Sequence, residues 1–261
     1  MSEISVNNQR IAKNTLLLYF RMLFTMAVSL YTSRVVLNVL GIEDFGIYSV
    51  VGGIITMFAF LNTAMSSSTQ RYLPFALGKG EILQLRKVFQ TSVNIHWLIA
   101  LLIFIFGETL GLWFLKEKMV IPLERLDAAF WVYQFSVATM MIMVISVPYN
   151  AAIIAHEKMS AFAYISVMEV LLKLLIVYLL YFTQSDKLIL YAALLCGMQL
   201  LVRIIYSCYC GRYFEETHYK WGWDGRLFKE MTGFAGWNLW GGLAAVLFTQ
   251  GLNILLNIFF G

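Results

Sequence analysis

Long apolar stretches separated by short polar connections run through the sequence. The pattern predicts seven helical spans, each long enough to cross a hydrocarbon core of about 30 Å. The predicted spans are Thr15–Val39, Phe45–Ser66, Val93–Leu115, Ala128–Ala155, Ala161–Phe182, Leu188–Cys210 and Phe234–Phe260. Short segments of alternating polarity, which are typical of transmembrane strands, do not occur in the sequence. The expected fold class is therefore all-α, a polytopic transmembrane helical bundle.

Composition points the same way. The chain is 60% hydrophobic and 13% charged, with a mean hydropathy of +0.73, which lies outside the range of soluble domains. Its net charge of +4 forms no basic stripe on a soluble face, so no nucleic-acid partner is expected. The three cysteines and three histidines lack metal-ligand spacing, and no glycine-rich phosphate loop is present. The sequence predicts no metal, no cofactor and no enzymatic activity.

Lysine and arginine are distributed unevenly between alternate connections. With the N-terminus in the cytoplasm, eleven of the nineteen fall on the cytoplasmic side and four on the outer side. The positive-inside rule therefore predicts a cytoplasmic N-terminus. The outer four are Lys116, Lys118, Arg125 and Lys187.

A weak internal repeat suggests how the chain is divided. The sequence from Arg34 matches the sequence from Asn253 at a constant offset, with Leu37 and Asn38 identical to Leu256 and Asn257. Internal repeats are common in transporters. We expect residues 1–211 to form an N-terminal six-helix lobe, 212–233 a cytoplasmic interfacial connection, and 234–261 the first helix of an incomplete second lobe.

Ionisable residues inside the spans are the candidates for function, because each costs about 2.5–3.5 kcal/mol near the bilayer centre on insertion scales. Glu169 and Lys173 are four residues apart and can pair on one helix face; a self-neutralised pair and a role in ion coupling both remain open. Arg34 has no carboxylate three or four residues away, and either contacts lipid phosphates or faces an anionic substrate. For Arg21 and Arg203, the default interpretation is snorkelling to the headgroups.

The seventh span carries the amides of Gln250, Asn253 and Asn257 on one stripe. Such a stripe either joins helices by hydrogen bonds or lines a cavity, and we favour a cavity.

One segment resembles a known family. Residues 33–48 carry Arg34, then Leu40-Gly41 and Phe45-Gly46-Ile47-Tyr48, and Arg71 follows at the end of the second span. This pattern resembles the junction of the first two helices in Wzx-type polysaccharide flippases of the multidrug/oligosaccharidyl-lipid/polysaccharide exporter superfamily. The specific motif is confined to residues 33–72.

The resemblance implies a two-lobed bundle that moves a polyprenyl-diphosphate-linked oligosaccharide across the bacterial inner membrane by alternating access. It implies that Arg34, Arg21, Lys173 and Arg203 hold the diphosphate, while Asn38, Asn253 and Asn257 contact sugars. Glu169 is the candidate for ion coupling. The lipid bilayer and the lipid-linked sugar are the expected partners, together with a missing C-terminal half or a second copy of the chain.

Three alternatives remain open. A multidrug antiporter of the same superfamily should carry unpaired carboxylates inside the spans. The pairing of Glu169 with Lys173 and the position of Glu108 near an outer end disfavour it. A peptidoglycan-precursor flippase would share the cationic interior. The third alternative is a truncated membrane subunit that does not transport.

Overall fold

The structure is a computed structural model that describes residues 3–56, 58–219 and 222–260. Side chains are described within residues 12–248, apart from residues 13, 56, 57, 60, 220, 221, 242, 243, 245 and 246. The chain is 90% helical, and the described residues contain no strand, as the hydropathy pattern predicts.

The described residues form eight α-helices. They are α1 (Glu3–Thr56), α2 (Ala59–Gly78), α3 (Ile82–Phe106), α4 (Leu112–Glu117), α5 (Leu126–Ala155), α6 (Met159–Tyr181), α7 (Lys187–Tyr213) and α8 (Gly225–Phe260). A π-helical turn, Gly107–Gly111, joins α3 to α4, and 3₁₀ turns occupy Leu123–Arg125 and Glu215–Thr217.

Five segments of the described chain are long and apolar enough to cross a membrane. They are Asn14–Ile55, Ile82–Glu117, Leu123–Ala155, Met159–Tyr181 and Lys187–Tyr213. Many of their outward side chains are large and apolar, including Phe20, Leu101 and Leu175. These surfaces match a hydrocarbon solvent, so the chain is a multi-pass helical membrane protein.

A sharp bend divides α1 into two arms, residues 3–40 and 42–56. Gly41 has φ 82° and ψ 170°, a conformation outside the helical region that glycine adopts without steric cost. Thr32 before the bend and Ser49 after it line the same pocket, so the two arms lie side by side. The bend falls in the predicted connection between the first two spans.

Several helix boundaries differ from the predicted spans, and three of these differences concern the second, third and seventh spans. The predicted second span is interrupted, since α1 ends at Thr56 and α2 begins at Ala59. Short-range turn bonds from the amides of Phe58 and Leu61 satisfy the backbone there. Helix α3 begins eleven residues before the predicted span at Val93, because residues 82–92 form an amphipathic segment that buries Leu85, Val88 and Phe89. Helix α8 begins at Gly225, within the predicted connection.

Helix α5 occupies the centre of the bundle, in contact with α3, α7, α1 and α2. Helix α6 packs on α1 and α7, and α8 packs on α2. The α2–α8 contact includes a hydrogen bond from the Ser68 hydroxyl to the Met231 carbonyl at 2.9 Å, and the Arg71 guanidinium lies 4.4 Å from the centre of the Phe234 ring. The first turns of α8 are thereby fixed to the preceding helices.

One cation joins three inter-helix connections at one end of the bundle. The Arg125 guanidinium donates to both carboxylate oxygens of Asp44, with Nε at 2.8 Å from Oδ1, and its Nη1 lies 2.7 Å from Asp186 Oδ2. Asp186 also caps α7 by accepting from the amides of Leu188 and Ile189. We call this the outer end, after the predicted orientation, and the opposite end the inner end.

The π-helical turn packs closely against α5. The Tyr133 hydroxyl donates to the Gly107 carbonyl at 2.6 Å, and a Cβ placed on Gly111 would overlap that hydroxyl. Glycine at position 111 therefore permits the close approach of α3 and α5.

Replacing Arg125 with Met should lower the free energy of unfolding by about 1–3 kcal/mol, because two partly buried carboxylates lose their counter-charge. Thermal unfolding in detergent measures this effect. Lys118→Met, at an exposed cation of the same end, should leave the melting temperature unchanged. In a double-mutant cycle, Asp44→Asn and Arg125→Met should be less than additive. A wild-type melting temperature for Arg125→Met would contradict this role.

Gly111→Ala should destabilise the protein by about 1–3 kcal/mol through overpacking against Tyr133. Adding Tyr133→Phe should recover part of the loss, because it removes the overlapping oxygen. Gly197→Ala is the matched control, since a Cβ there meets nothing within 4 Å. Equal melting temperatures for the two alanine variants would show that position 111 tolerates a side chain.

Candidate functional site

An open groove lies between α1 and α6 towards the outer end. Its volume is about 580 Å³. The lining residues are Tyr31, Arg34, Val35, Asn38, Tyr178, Tyr181 and Phe182. The Tyr31 and Tyr178 hydroxyls, 2.7 Å apart, bridge the two helices. We call this hollow the Arg34 groove.

Arg34 and Asn38 lie one helical turn apart on the same face of α1, and both side chains are exposed. Arg34 forms no ion pair with any side chain that the structure describes. The predicted cation and amide are therefore brought together, with aromatic side chains of α6 facing them.

A second hollow, which we call the Lys173 pocket, lies between the two arms of α1, α6 and α7. It has a volume of about 290 Å³. Four aliphatic hydroxyls and two phenols line it, with Lys173 as its cation. The lining residues are Ser29, Thr32, Ser33, Val36, Phe45, Tyr48, Ser49, Val170, Lys173 and Tyr191.

The two hollows flank the same stretch of α1. Val35 lines the groove and Val36 lines the pocket. On α6, Lys173 and Tyr178 are five residues apart, which is about 7.5 Å along a helix axis. Arg34 and Lys173 therefore lie in neighbouring hollows on either side of one helix.

Lys173 is paired within its own helix. Its ammonium lies 2.8 Å from Glu169 Oε1, at the i, i+4 spacing that the sequence predicts. The pair is partly buried, and each charge reduces the cost of the other in a low-dielectric surrounding. Glu169 thus has a cationic partner.

Arg21 and Arg203 contact aromatic rings within the bundle. The guanidinium carbon of Arg21 lies 4.6 Å from the centre of the Phe162 ring, and its Nη1 donates to the Ser166 hydroxyl at 3.4 Å. The guanidinium carbon of Arg203 lies 3.9 Å from the centre of the Tyr149 ring. Cation–π attraction strengthens when charges are desolvated, so these ring contacts favour both cations inside the bundle, and snorkelling stays a prediction. Neither arginine lines the groove or the pocket.

The side chains of Asn253 and Asn257 lie outside the described residues. Their predicted place in a polar cavity, with Gln250, stays a prediction.

A carboxylate that the sequence places near the outer end of a span lies in the π-helical turn. Glu108 Oε2 accepts a hydrogen bond from the Gln134 amide at 3.3 Å, while Oε1 is buried without a partner among the described groups. π-helical turns occur frequently at functional sites, but their hydrogen-bond register is not visible in sequence.

The tyrosines of the two hollows are absent from the residues that the sequence predicts. Tyr31 precedes Arg34 by three residues, so helical periodicity places both on one face of α1. Tyr48 and Tyr191 lie 5.0 Å apart between ring centres, on helices that are distant in sequence. Their proximity depends on tertiary packing, for which the sequence carries no local signal.

No protein-family model matches the sequence, and no curated protein matches it. Three solved structures share the fold. A MATE transporter in complex with MaD3S superposes with a TM-score of 0.69 at 14% identity, covering 89% of this chain and 54% of that chain. A multidrug resistance MATE family transporter of the MOP superfamily in an outward-facing conformation gives 0.68 at 15% identity, covering 89% and 53%.

The third structure is a MOP superfamily transporter from Pyrococcus furiosus, described as having a binding pocket of reverse polarity. It gives a TM-score of 0.63 at 14% identity, covering 90% of this chain and 52% of that chain. The chain thus has the fold of MATE transporter halves and spans about half the length of the structures it matches.

Glu169→Gln should destabilise the protein by about 1–2 kcal/mol, because it leaves the Lys173 ammonium without its carboxylate inside a span. The double variant Glu169→Gln, Lys173→Met should be closer to wild type in thermal unfolding. Glu230→Gln is the control, since it breaks an exposed Arg226–Glu230 pair of the same spacing. Such surface pairs contribute about 0.5 kcal/mol or less. If Glu169→Gln and Glu230→Gln lowered the melting temperature equally, the position of the Glu169–Lys173 pair inside a span would not increase its contribution to stability.

Proposed function

We propose that the chain is one lobe of a transporter that moves a polyprenyl-diphosphate-linked oligosaccharide across the bacterial inner membrane by alternating access. The N-terminus lies in the cytoplasm in this proposal. The observation that carries it is the Arg34 groove, where an exposed guanidinium without a counter-ion among the described side chains stands beside an amide and a row of aromatic rings.

A guanidinium suits a diphosphate. Its planar donors form two parallel hydrogen bonds to phosphate oxygens, and charge-assisted bonds of this kind are about twice as strong as neutral ones. The Coulomb attraction is greater beside a hydrocarbon phase than in water. Arg34 precedes the bend at Gly41 by seven residues, so it lies towards the predicted outer end of the bundle.

The neighbours of Arg34 suit a sugar. The Asn38 amide can donate and accept hydrogen bonds to hydroxyls. The Tyr178, Tyr181 and Phe182 rings offer apolar faces with polar tips for stacking. The hydroxyl-lined Lys173 pocket provides a second polar hollow on the other side of α1, which a longer glycan could enter.

Alternating access in transporters with repeated lobes is largely a rigid-body rocking of one lobe against another. The Arg125 contacts would keep this lobe rigid during that motion. The opposite wall of the pathway would come from a second lobe, either further along the same polypeptide or from a second copy. A shared fold with MATE transporters supports such an arrangement.

A second candidate function is antiport of organic cations, which one observation favours. Glu108 presents a carboxylate oxygen without a described partner at membrane depth, and intramembrane carboxylates are typical of cation and proton pathways. One of the structural neighbours is itself a multidrug resistance transporter. The two candidates differ in the sign of the ligand charge.

Arg34→Gln should weaken binding of a polyprenyl diphosphate to the full chain in nanodiscs by about tenfold to a hundredfold, equivalent to the ~1.5–3 kcal/mol of a hydrogen bond to a charged group. Tryptophan fluorescence or native mass spectrometry measures the affinity. Lys187→Gln, which removes an outer cation away from the groove, is the matched control and should bind like wild type.

Unchanged binding in the Arg34 variant would contradict the proposal. Binding of tetraphenylphosphonium that disappears in Glu108→Gln, together with no measurable binding of polyprenyl diphosphate, would favour the antiporter. Glu117→Gln controls for loss of an exposed acidic residue close by.

A further inference from the structure

A third hollow lies at the inner end, where the turn between α2 and α3 meets the start of α8. Its volume is about 440 Å³. We call it the inner basic cavity. The lining residues are Tyr72, Phe75, Ala76, Lys79, Gln84, Lys87, Val88, Asp224, Arg226, Leu227 and Glu230.

The two carboxylates of this cavity are already engaged. Glu230 Oε1 accepts from Arg226 Nε at 3.1 Å. Asp224 Oδ1 accepts from the Leu227 amide at 3.1 Å, which caps the first turn of α8. Both carboxylates therefore already accept a hydrogen bond from another residue that lines the cavity.

The two lysines have no such partner. In the part of the chain that the structure describes, neither Lys79 nor Lys87 forms an ion pair. The Lys79 ammonium lies 4.7 Å from the centre of the Phe75 ring, which orients its stem without neutralising its charge. The cavity thus offers two ammonium groups to an anion from outside.

Exposed apolar side chains occur in the cavity lining and next to it in the chain. Phe75, which lines the cavity, is 64% exposed. Ile82 and Leu83 follow Lys79 by three and four residues, Trp223 precedes Asp224, and all three are exposed. The Trp223 ring packs against Phe228 with ring centres 4.7 Å apart. Exposed aromatic and aliphatic side chains next to lysines are the composition of a bilayer interface, where apolar stems lie in the acyl region and ammoniums reach the phosphates.

We propose that the inner basic cavity binds the phosphodiester headgroup of an anionic phospholipid of the inner leaflet. The phosphate lies between the Lys79 and Lys87 ammoniums, and the acyl chains follow Phe75 and Trp223 into the membrane. A zwitterionic headgroup carries its own cation, so the cavity selects phosphatidylglycerol over phosphatidylcholine. This inference does not depend on the proposed transport function, because it concerns the opposite end of the bundle from the Arg34 groove.

The test uses the full chain, with bound lipid counted by native mass spectrometry after incubation with phosphatidylglycerol or phosphatidylcholine. Wild-type protein should retain phosphatidylglycerol in preference, and the double variant Lys79→Gln, Lys87→Gln should bind it about tenfold more weakly. The control Lys158→Gln, Lys229→Gln removes the same charge from the same predicted face outside the cavity, and should bind like wild type. Quenching of tryptophan fluorescence by brominated phosphatidylglycerol should fall in parallel.

Equal retention of the two lipids by wild-type protein would overturn the proposal. So would an equal loss of phosphatidylglycerol in the two double variants, since that result would indicate general surface charge. Displacement of the lipid by millimolar inorganic phosphate would identify a soluble anion as the ligand and would also overturn it. The melting temperature of each variant establishes folding, and the single substitutions at Lys79 and Lys87 serve if the double variant does not fold.

Discussion

The contact of Arg125 with Asp44 and Asp186 is the interaction on which the outer half of the bundle depends. The three residues come from three different connections, so one guanidinium fixes the turn of α1, the start of α5 and the capped start of α7. The Arg34 groove and the Lys173 pocket lie towards the same end of the bundle as this contact. Their lining residues belong to α1, α6 and α7, together with Phe182, which follows α6. If the contact opened, the second arm of α1 would lose its charge-assisted connection to the starts of α5 and α7.

The cations inside the spans have different partners. A partner matters at each position because a charge is costly to transfer from water into the bundle. A carboxylate four residues away neutralises Lys173, and aromatic rings hold Arg21 and Arg203. Each of these arrangements reduces the cost of a cation in hydrocarbon without a ligand. Arg34 has neither kind of charge partner in the described chain, and it lies in an open groove beside an amide and aromatic rings. A ligand that brings its own negative charge would complete this site, which is why the proposal depends on Arg34 more than on the other cations.

Hydropathy predicts the fold class because the bilayer leaves few alternatives, and the helical bundle follows from apolar length alone. The local sequence also predicts the connection in which the bend at Gly41 lies, and the spacing of Glu169 and Lys173 predicts their pairing. Hydropathy misses the start of α3, since residues 82–92 bury one face through amphipathic packing while their mean polarity stays high. The Arg125 contacts, the packing of the π-helical turn on Tyr133 and the Tyr48–Tyr191 contact depend on residues that are far apart in the chain. Side-chain periodicity carries no information about them.

Each end of the bundle combines one ion-paired arginine with lysines that have no carboxylate partner among the described side chains. At the outer end, Arg125 is saturated by two carboxylates, and Lys118 lies 5.7 Å from the centre of the Trp113 ring. At the inner end, Lys79 and Lys87 have no counter-ions among the described side chains and lie beside exposed aromatic rings. Anionic lipids are concentrated in the cytoplasmic leaflet, where free cations gain energy from the surface potential. Uncompensated lysines are therefore favourable at a cytoplasmic face. The cytoplasmic position of the inner end remains the prediction of the positive-inside rule, and in that orientation the surface potential would stabilise Lys79 and Lys87 without an internal partner.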